Sequence, residues 1–486
     1  MRLSPGSLLA RVTLAPVVAV AAWALVAFPL LCLGQLSPLT GLLLGVPAVA
    51  AALALVPRLA PETDDTPWWP LLLVLLVTVA FAAVQLAYHS EQLVIRRDAA
   101  SYAQYTAWIA GNGFLPIPQQ RELIAGDDPV LTYDSLAYYQ VDDVVWPQFL
   151  AGAPLVYTLG FWAAGLHGMV LTPPLVGALA VLTFAGLAAR LVGARWAPLA
   201  ALVLAVCLPQ QWVSRSTYSE PVAQVLLLGG LVLACDALTR GARGRWSAGH
   251  TLALAAGLSL GLGLLVRIDA LRDLLPVVAF VGLLLLARRR EALPLGAGLA
   301  VGAAYGFVAG FGYSRPYLDH LADSLQPLLL ISAAVAGLTV AGVLLLWRRG
   351  LPRPDRPAWL PTALAVLAVV AVAVIALRPL VLTQRGHGDE ATGVYIGQVQ
   401  QIEGLAVDAD RTYEEMSLHW VGWYVGWAAV LLATAGVALL VRRTALRRDP
   451  KWTLVLMVLV WTVTTTLLRP AITPDHPWAS RRLVTL

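Results

Sequence analysis

Apolar runs of about 20 residues recur along nearly the whole chain, each long enough to cross a ~30 Å hydrocarbon core as a helix. They predict thirteen crossings: 13–36, 38–57, 68–88, 173–189, 197–213, 220–238, 250–266, 272–287, 294–312, 326–346, 359–378, 420–441 and 452–468. Two long polar stretches interrupt them, His89–Gln148 and Pro379–His419. The first opens on Ile95–Trp108, IRRDAASYAQYTAW. From Asp98 to Gly111, Tyr102, Tyr105 and Trp108/Ile109 recur at helical spacing, which predicts an amphipathic helix lying on the membrane surface.

Composition fixes the class. The 486 residues are 59% hydrophobic and 13% charged, with a mean hydropathy of +0.74, whereas a soluble domain is about half apolar and a quarter charged. The chain reads as an all-α integral membrane protein forming one polytopic domain over 1–486. The net charge of +5 is spread over the connections, so no nucleic-acid partner is expected despite the basic balance. Cys32, Cys207 and Cys235 sit in apolar runs without CxxC spacing and imply neither a disulfide framework nor a metal site.

The connections alternate in character. One set is arginine-rich: Arg190/Arg195, Arg240/Arg243/Arg245, Arg288–Arg290, Arg348/Arg349/Arg353/Arg356 and Arg442–Lys451. With Arg2, Arg11 and Arg58 it holds 20 of the 33 basic residues. By the positive-inside rule this set is cytoplasmic. The N-terminus is then inside the plasma membrane, and the loops 89–148 and 379–419 are outside. Alternation requires an odd number of crossings between Gln148 and Arg190. The run 150–171, interrupted by Gly152, Pro154, Gly160 and Gly165, is therefore expected to be interfacial or re-entrant, as buried backbone permits.

Four clusters of ionisable residues fall on the outer side. Asp98 follows Arg96 and Arg97. As the first residue of a helix it suits a cap; as chemistry it suits a general base beside guanidinium groups that hold a phosphate. The stretch 214–221, SRSTYSEP, gathers Arg215, Tyr218 and Glu220 at a helix start. Arg267-Ile268-Asp269 leads into Arg272 and Asp273 in a very short turn. The C-terminal stretch PDHPWASRRLVTL carries His476 and Arg481. Charges near membrane depth are costly and commonly functional. In the other long loop, the Arg411/Glu415 and Glu415/His419 spacings with Trp420, Trp423 and Trp427 read as a helix stiffened by ion pairs beside an aromatic belt.

Asp98-x-x-x-Tyr102 at the head of a large first outer loop, Gly111…Pro116, the small and proline-rich return at 147–154, SRSTYSEP and RID (267–269) together resemble the GT-C superfamily of membrane glycosyltransferases. The likeness is to the bacterial protein-mannosyltransferase-like and aminoarabinose-transferase-like enzymes, over roughly residues 90–290. The resemblance implies a bundle of about thirteen transmembrane helices, its large outer loop carrying interfacial helices, and an outer-face site using polyprenyl-phosphate sugars. It makes Asp98 the catalytic carboxylate and Glu220 a second. It gives substrate binding to Arg96, Arg97, Tyr102, Arg215, Tyr218, Arg267, Asp269, His476 and Arg481. The implied partners are a lipid-linked sugar donor, a glycan, lipid or protein acceptor, and membrane lipid. Many relatives pair the loop acid with another, but here Arg97 and Ala99 flank Asp98. One carboxylate is a poor Mg²⁺ or Mn²⁺ site, and Asp127/Asp128 and Asp142/Asp143 read more readily as solvated loop acids than as further ligands, so a divalent cation stays open but weakly supported, and no other cofactor is implied. The family's His…Arg segment leads into a further helix, so the ending Arg481-Arg482-Leu483-Val484 reads as the approach to one, in a chain truncated at its C-terminus. The rival readings are a transporter or lipid flippase, whose charges would lie at mid-helix, and a non-catalytic relative.

Overall fold

A computed structural model describes residues 4–61, 66–94, 98–124, 126, 128, 130–135, 137–349, 357–387, 390–447 and 449–484. The chain is an all-α membrane protein. Among the described residues eleven helices are long and apolar enough to span a bilayer, or twelve if Ala194–Val206 and Leu208–Ser214, bent by 70°, form one span. The thirteenth expected crossing corresponds to Ala270–Leu286, which has only 17 residues. It rises about 26 Å, short of the ~30 Å core, and its first turn already carries Arg272 and Asp273.

The chain divides into two compact units, Met1–Val206 with Gln211–Leu351, and Cys207–Gln210 with Pro352–Leu486. At the centre of the first lies Glu220–Arg240, with 83% of its most apolar window buried, whereas none of the corresponding window of Ala322–Leu346 is buried. Ala248–Val266 and Ala292–Val308 meet backbone to backbone through Gly257 and Gly261 facing Leu295–Gly302, and Gly298 and Gly302 facing Leu254–Leu262. A Cβ at any of these four would strike a main-chain atom. Small residues four apart allow this approach where no hydrophobic effect drives helices together.

Gly152–Val192 is not one straight rod. Ala164 (φ −151°) and Gly165 (φ 62°, ψ −146°) leave the helical region, and the backbone of Gly160 touches Gly168 and Thr172. The break lies within 150–171, the run expected not to cross.

The first polar loop is more structured than its sequence suggests. The Asp98 helix runs Asp98–Asn112. Tyr102, Tyr105 and Ile109 are buried as their spacing requires, but so are Ala99, Ala100, Ala103 and Ala110. The helix therefore packs against protein on more than its tyrosine face, its alanines leaving room for neighbours, while Gln104, Trp108 and Asn112 stay on a more open side. Trp162 donates its indole N–H to the Ala110 carbonyl at 3.0 Å, and the Thr217 hydroxyl donates to that of Ala99. Downstream, β1 (Ile117–Pro118), β2 (Tyr138–Val141) and β3 (Val144–Pro147) form an antiparallel sheet in the order β1-β3-β2, with Tyr139 opposite Trp146 and Ile117 opposite Val145. Asp142 and Asp143 make the two-residue turn between β2 and β3, Asp142 at φ 50°, a conformation that Asp tolerates.

In the second unit, Leu360–Val381, Trp427–Arg447 and Pro450–Leu468 are the spans. Arg378 donates to the Leu467 carbonyl at 2.8 Å, and the Ser417 hydroxyl donates to the same oxygen at 2.6 Å, capping the end of Pro450–Leu468. The expected Arg411–Glu415 pair forms at 3.0 Å with Glu415 fully buried. His419 instead packs edge-on against Trp427, ring centroids 5.3 Å apart, and Trp420 is buried while Trp423 and Trp427 are exposed.

Candidate functional site

Arg267 follows directly on the Ala248–Val266 helix with extended backbone (φ −147°, ψ 131°). Its buried guanidinium meets Asp269 through two parallel bonds, Nε to Oδ1 and Nη2 to Oδ2, each 2.9 Å. Nη1 donates to Glu220 Oε1 at 2.7 Å and to Ser219 Oγ at 3.1 Å. One arginine thus faces two carboxylates, and four of its N–H groups are engaged. Burial alone would lower the Arg267 pKa, but Asp269 and Glu220 outweigh it and hold the guanidinium charged. Glu220 has no exposed surface and Asp269 is partly exposed.

Tyrosines close the cluster. The buried Tyr102 hydroxyl hydrogen-bonds Ser219, and burial pushes its pKa well up, against the pull of Arg267. Its ring stacks on Phe149 at 4.5 Å, and Phe149 meets Tyr317 edge-on at 5.4 Å. Tyr317 is raised too, first by burial and then by Asp269, with Asp98 within electrostatic reach. Phe149 itself adopts φ 75° and is held by the Ser314 hydroxyl donating to its carbonyl at 2.9 Å.

Tyr102, Glu220, Arg267 and Asp269 are therefore drawn together from three stretches far apart in sequence, with Asp98 within electrostatic reach of Tyr317 at their edge. Asp98 is the first residue of its helix, where a carboxylate is favoured by the dipole, and it is partly exposed. The buried Tyr218 takes part through its main chain, its carbonyl accepting the Tyr157 hydroxyl. Arg215 points elsewhere, donating to Gln85 at 2.8 Å and Gln211 at 3.3 Å and lying over the Tyr88 ring at 5.6 Å. Among the described residues it has no acidic partner. Arg272 sits 3.4 Å from Asp273. Arg96, Arg97 and Asp127 lie outside the described residues. In the second unit, His476 is surrounded by Trp420, Trp423 and Tyr424 with centroids 5.2–5.6 Å away, and Arg481 lies over Trp478 at 4.7 Å.

Sequence reasoning missed Phe149, Ser219 and Tyr317. Ser219 stood inside the quoted SRSTYSEP stretch; Phe149 and Tyr317 are apolar-looking residues whose place depends on the fold.

A cleft of about 650 Å³ opens beside the same helix, lined by Gln104, Trp108, Asn112, Gln119, Tyr133 and Tyr138, and by no acid or base among the described residues. It does not include Asp98 or Arg267. The Asp98–Asn112 helix is common to both: Asp98 begins it, and Gln104, Trp108 and Asn112 line the cleft further along.

No protein-family model matches the chain, and no curated protein matches it.

Proposed function

We propose that the chain is a membrane glycosyltransferase of the GT-C type that moves a sugar from a polyprenyl-phosphate donor to a cell-envelope acceptor at the outer face of the plasma membrane. The observation that carries this reading is the juxtaposition of Asp98 and Asp269 with Arg267 and two buried tyrosines at the ends of apolar helices. Asp98 is placed to take the proton of an acceptor hydroxyl as it attacks the sugar's anomeric carbon, while the bond from that carbon to the phosphate oxygen breaks and the lipid phosphate leaves. Glu220, enclosed and bound to Arg267, positions that arginine rather than touching substrate. With its N–H groups largely engaged, Arg267 leaves most of the departing phosphate's charge to Arg96 and Arg97, beside Asp98 in sequence. The uncharged cleft, walled by side-chain amides and aromatic rings, suits a neutral polyhydroxylated acceptor: amides supply donors and acceptors for hydroxyls, and rings pack against the apolar faces of sugars.

The test is reconstitution in liposomes with a panel of polyprenyl-phosphate sugars, measuring release of polyprenyl phosphate. One donor should be consumed, and Asp98→Asn should slow its consumption by ~10²-fold or more, the scale of a positioned acid or base, at unchanged protein yield. A lipid-linked sugar that changes leaflet without cleavage would favour a flippase instead. Equal turnover by parent and Asp98→Asn would remove Asp98 from the mechanism.

A further inference from the structure

His89 follows the Trp68–Ala87 helix, and its Nδ1 lies 2.7 Å from the Leu86 carbonyl oxygen. A carbonyl only accepts, so Nδ1 carries the proton, and in the neutral ring the lone pair is on Nε2. That Nε2 is buried and makes no hydrogen bond. It faces Glu91 Oε1 at 3.7 Å, beyond hydrogen-bonding distance. Beyond the reversal at Ala164–Gly165, His167 brings a third donor, its ring 6.1 Å from that of His89 and inclined at 76°. The donor atoms of His89, Glu91 and His167 all lie within 4.8 Å of one another.

We propose that His89, Glu91 and His167 bind a divalent transition-metal ion, zinc by preference. An imidazole whose Nδ1–H is held by a carbonyl, leaving Nε2 bare, is the usual preparation of a zinc ligand. Two imidazoles and one carboxylate are a borderline donor set that suits Zn²⁺; Mg²⁺ and Ca²⁺ take oxygen ligands. Ligands of a tetrahedral zinc lie about 3.4 Å apart for Zn–N bonds of about 2.0–2.1 Å. The remaining closure is little more than about 1 Å, and Glu91 and His167, both exposed, have side chains free to supply it. Three protein ligands leave the fourth position to water. The ion would fasten the start of the polar loop that carries Asp98 to the broken helix Gly152–Val192. No such site is legible in the sequence, because His89-x-Glu91 is too short a motif to signal a ligand set and His167 lies in an apolar run.

The test uses the full chain in lipid nanodiscs, purified on a tag without histidine, stripped with a chelator and dialysed against graded Zn²⁺. One saturable zinc per chain is expected, unaffected by millimolar Mg²⁺. His167→Ala and Glu91→Gln should each weaken it at least about ten-fold, while His320→Ala leaves it unchanged. Both test positions are exposed, so the variants keep the fold, which the unfolding temperature without metal checks. In the parent, Co²⁺ should give the visible absorption of a low-symmetry site, and His167→Ala should abolish it. No zinc bound by the parent, or equal affinity in the parent and both variants, overturns the proposal.

Discussion

The two ends of one helix, Glu220–Arg240, each hold a buried ion pair, and they are built differently. At Asp236, Arg190 makes parallel bonds of 2.8 and 2.9 Å to the two carboxylate oxygens, and its other N–H groups reach Thr13, Gly186 and Ala10. One positive charge meets one negative, and the guanidinium is enclosed by hydrogen bonds. About 24 Å away by helical rise, Glu220 shares Arg267 with Asp269, and the Ser219 hydroxyl accepts a further Arg267 N–H. A closed neutral pair holds helices in register and does nothing else. At the Glu220 end one guanidinium is divided between two carboxylates, of which Asp269 is partly open. The same helix thus carries one closed end and one end partly open at Asp269.

The largest expected effects come from breaking these pairs. Removing one partner of a buried pair costs about 3–5 kcal/mol, whereas replacing both with apolar residues is often neutral. We expect Arg190→Leu to destabilise by that amount and the Arg190→Leu/Asp236→Leu double variant to recover most of it, read by thermal unfolding in detergent. Arg267→Leu should cost as much, but adding Glu220→Leu should recover only part, because Asp269 has also lost its two bonds to Arg267. Equal recovery at both ends would erase the distinction.

Next in size is the separation of activity from stability. Asp98→Asn, at the chemical end, should lower turnover by ~10²-fold with little change in unfolding temperature. Asp236→Leu should do the reverse, lowering the unfolding temperature while the folded fraction keeps its turnover. A common fall in both quantities for both variants would mean that the two ends differ in nothing that matters to function.

The contrast also explains what could be read from the chain. The spans were legible because a run of about 20 apolar residues has one main use, and the Asp98 helix because Tyr102, Tyr105 and Ile109 at i, i+3 and i+7 mark a face. Its burial on the other faces was not, since alanines at 99, 100, 103 and 110 carry no orientation signal. Ala270–Leu286 looked like a full crossing, but Arg272 and Asp273 sit inside its first turn and shorten the apolar part. SRSTYSEP and RID were visible as separate clusters. That Arg267 faces Glu220 and Asp269 at once, while Arg215 turns to Gln85, depends on helix rotation that spacing does not specify. The sheet Ile117–Pro147 was hidden because its strands are short and its alternation weak.

A third substitution isolates backbone from charge. Gly165 has φ 62° and ψ −146°, a region nearly closed to residues with a Cβ, and nothing lies within 4 Å of where that Cβ would be. Gly165→Ala should therefore cost about 1–3 kcal/mol through backbone conformation alone, less than either broken pair. An unchanged unfolding temperature for Gly165→Ala would mean that the reversal is held by Gly160 and Gly168 rather than by this residue.

The smallest effect is expected at a titratable group that is only partly withdrawn from water. His476 is enclosed by Trp420, Trp423 and Tyr424, and burial holds its pKa below the ordinary imidazole value. The Tyr424 hydroxyl meets its Nδ1, and in the neutral ring that nitrogen can accept; protonation removes the acceptor and sets a cation against ring surfaces that replace part of its water. The folded chain therefore resists protonation more than the unfolded one. Above the unfolded value of about 6.5 both states are neutral and the full stability is present. As the pH falls below it the unfolded chain gains a proton first, and stability declines until the pH passes the lower folded pKa. The unfolding temperature of the parent should therefore drop between pH 7.5 and 5.5 more steeply than that of His476→Gln, which keeps an acceptor for Tyr424 but cannot titrate. The other histidines contribute equally to both proteins, so the difference in slope belongs to His476. Parallel slopes would show that water reaches the ring and that the aromatic enclosure is open.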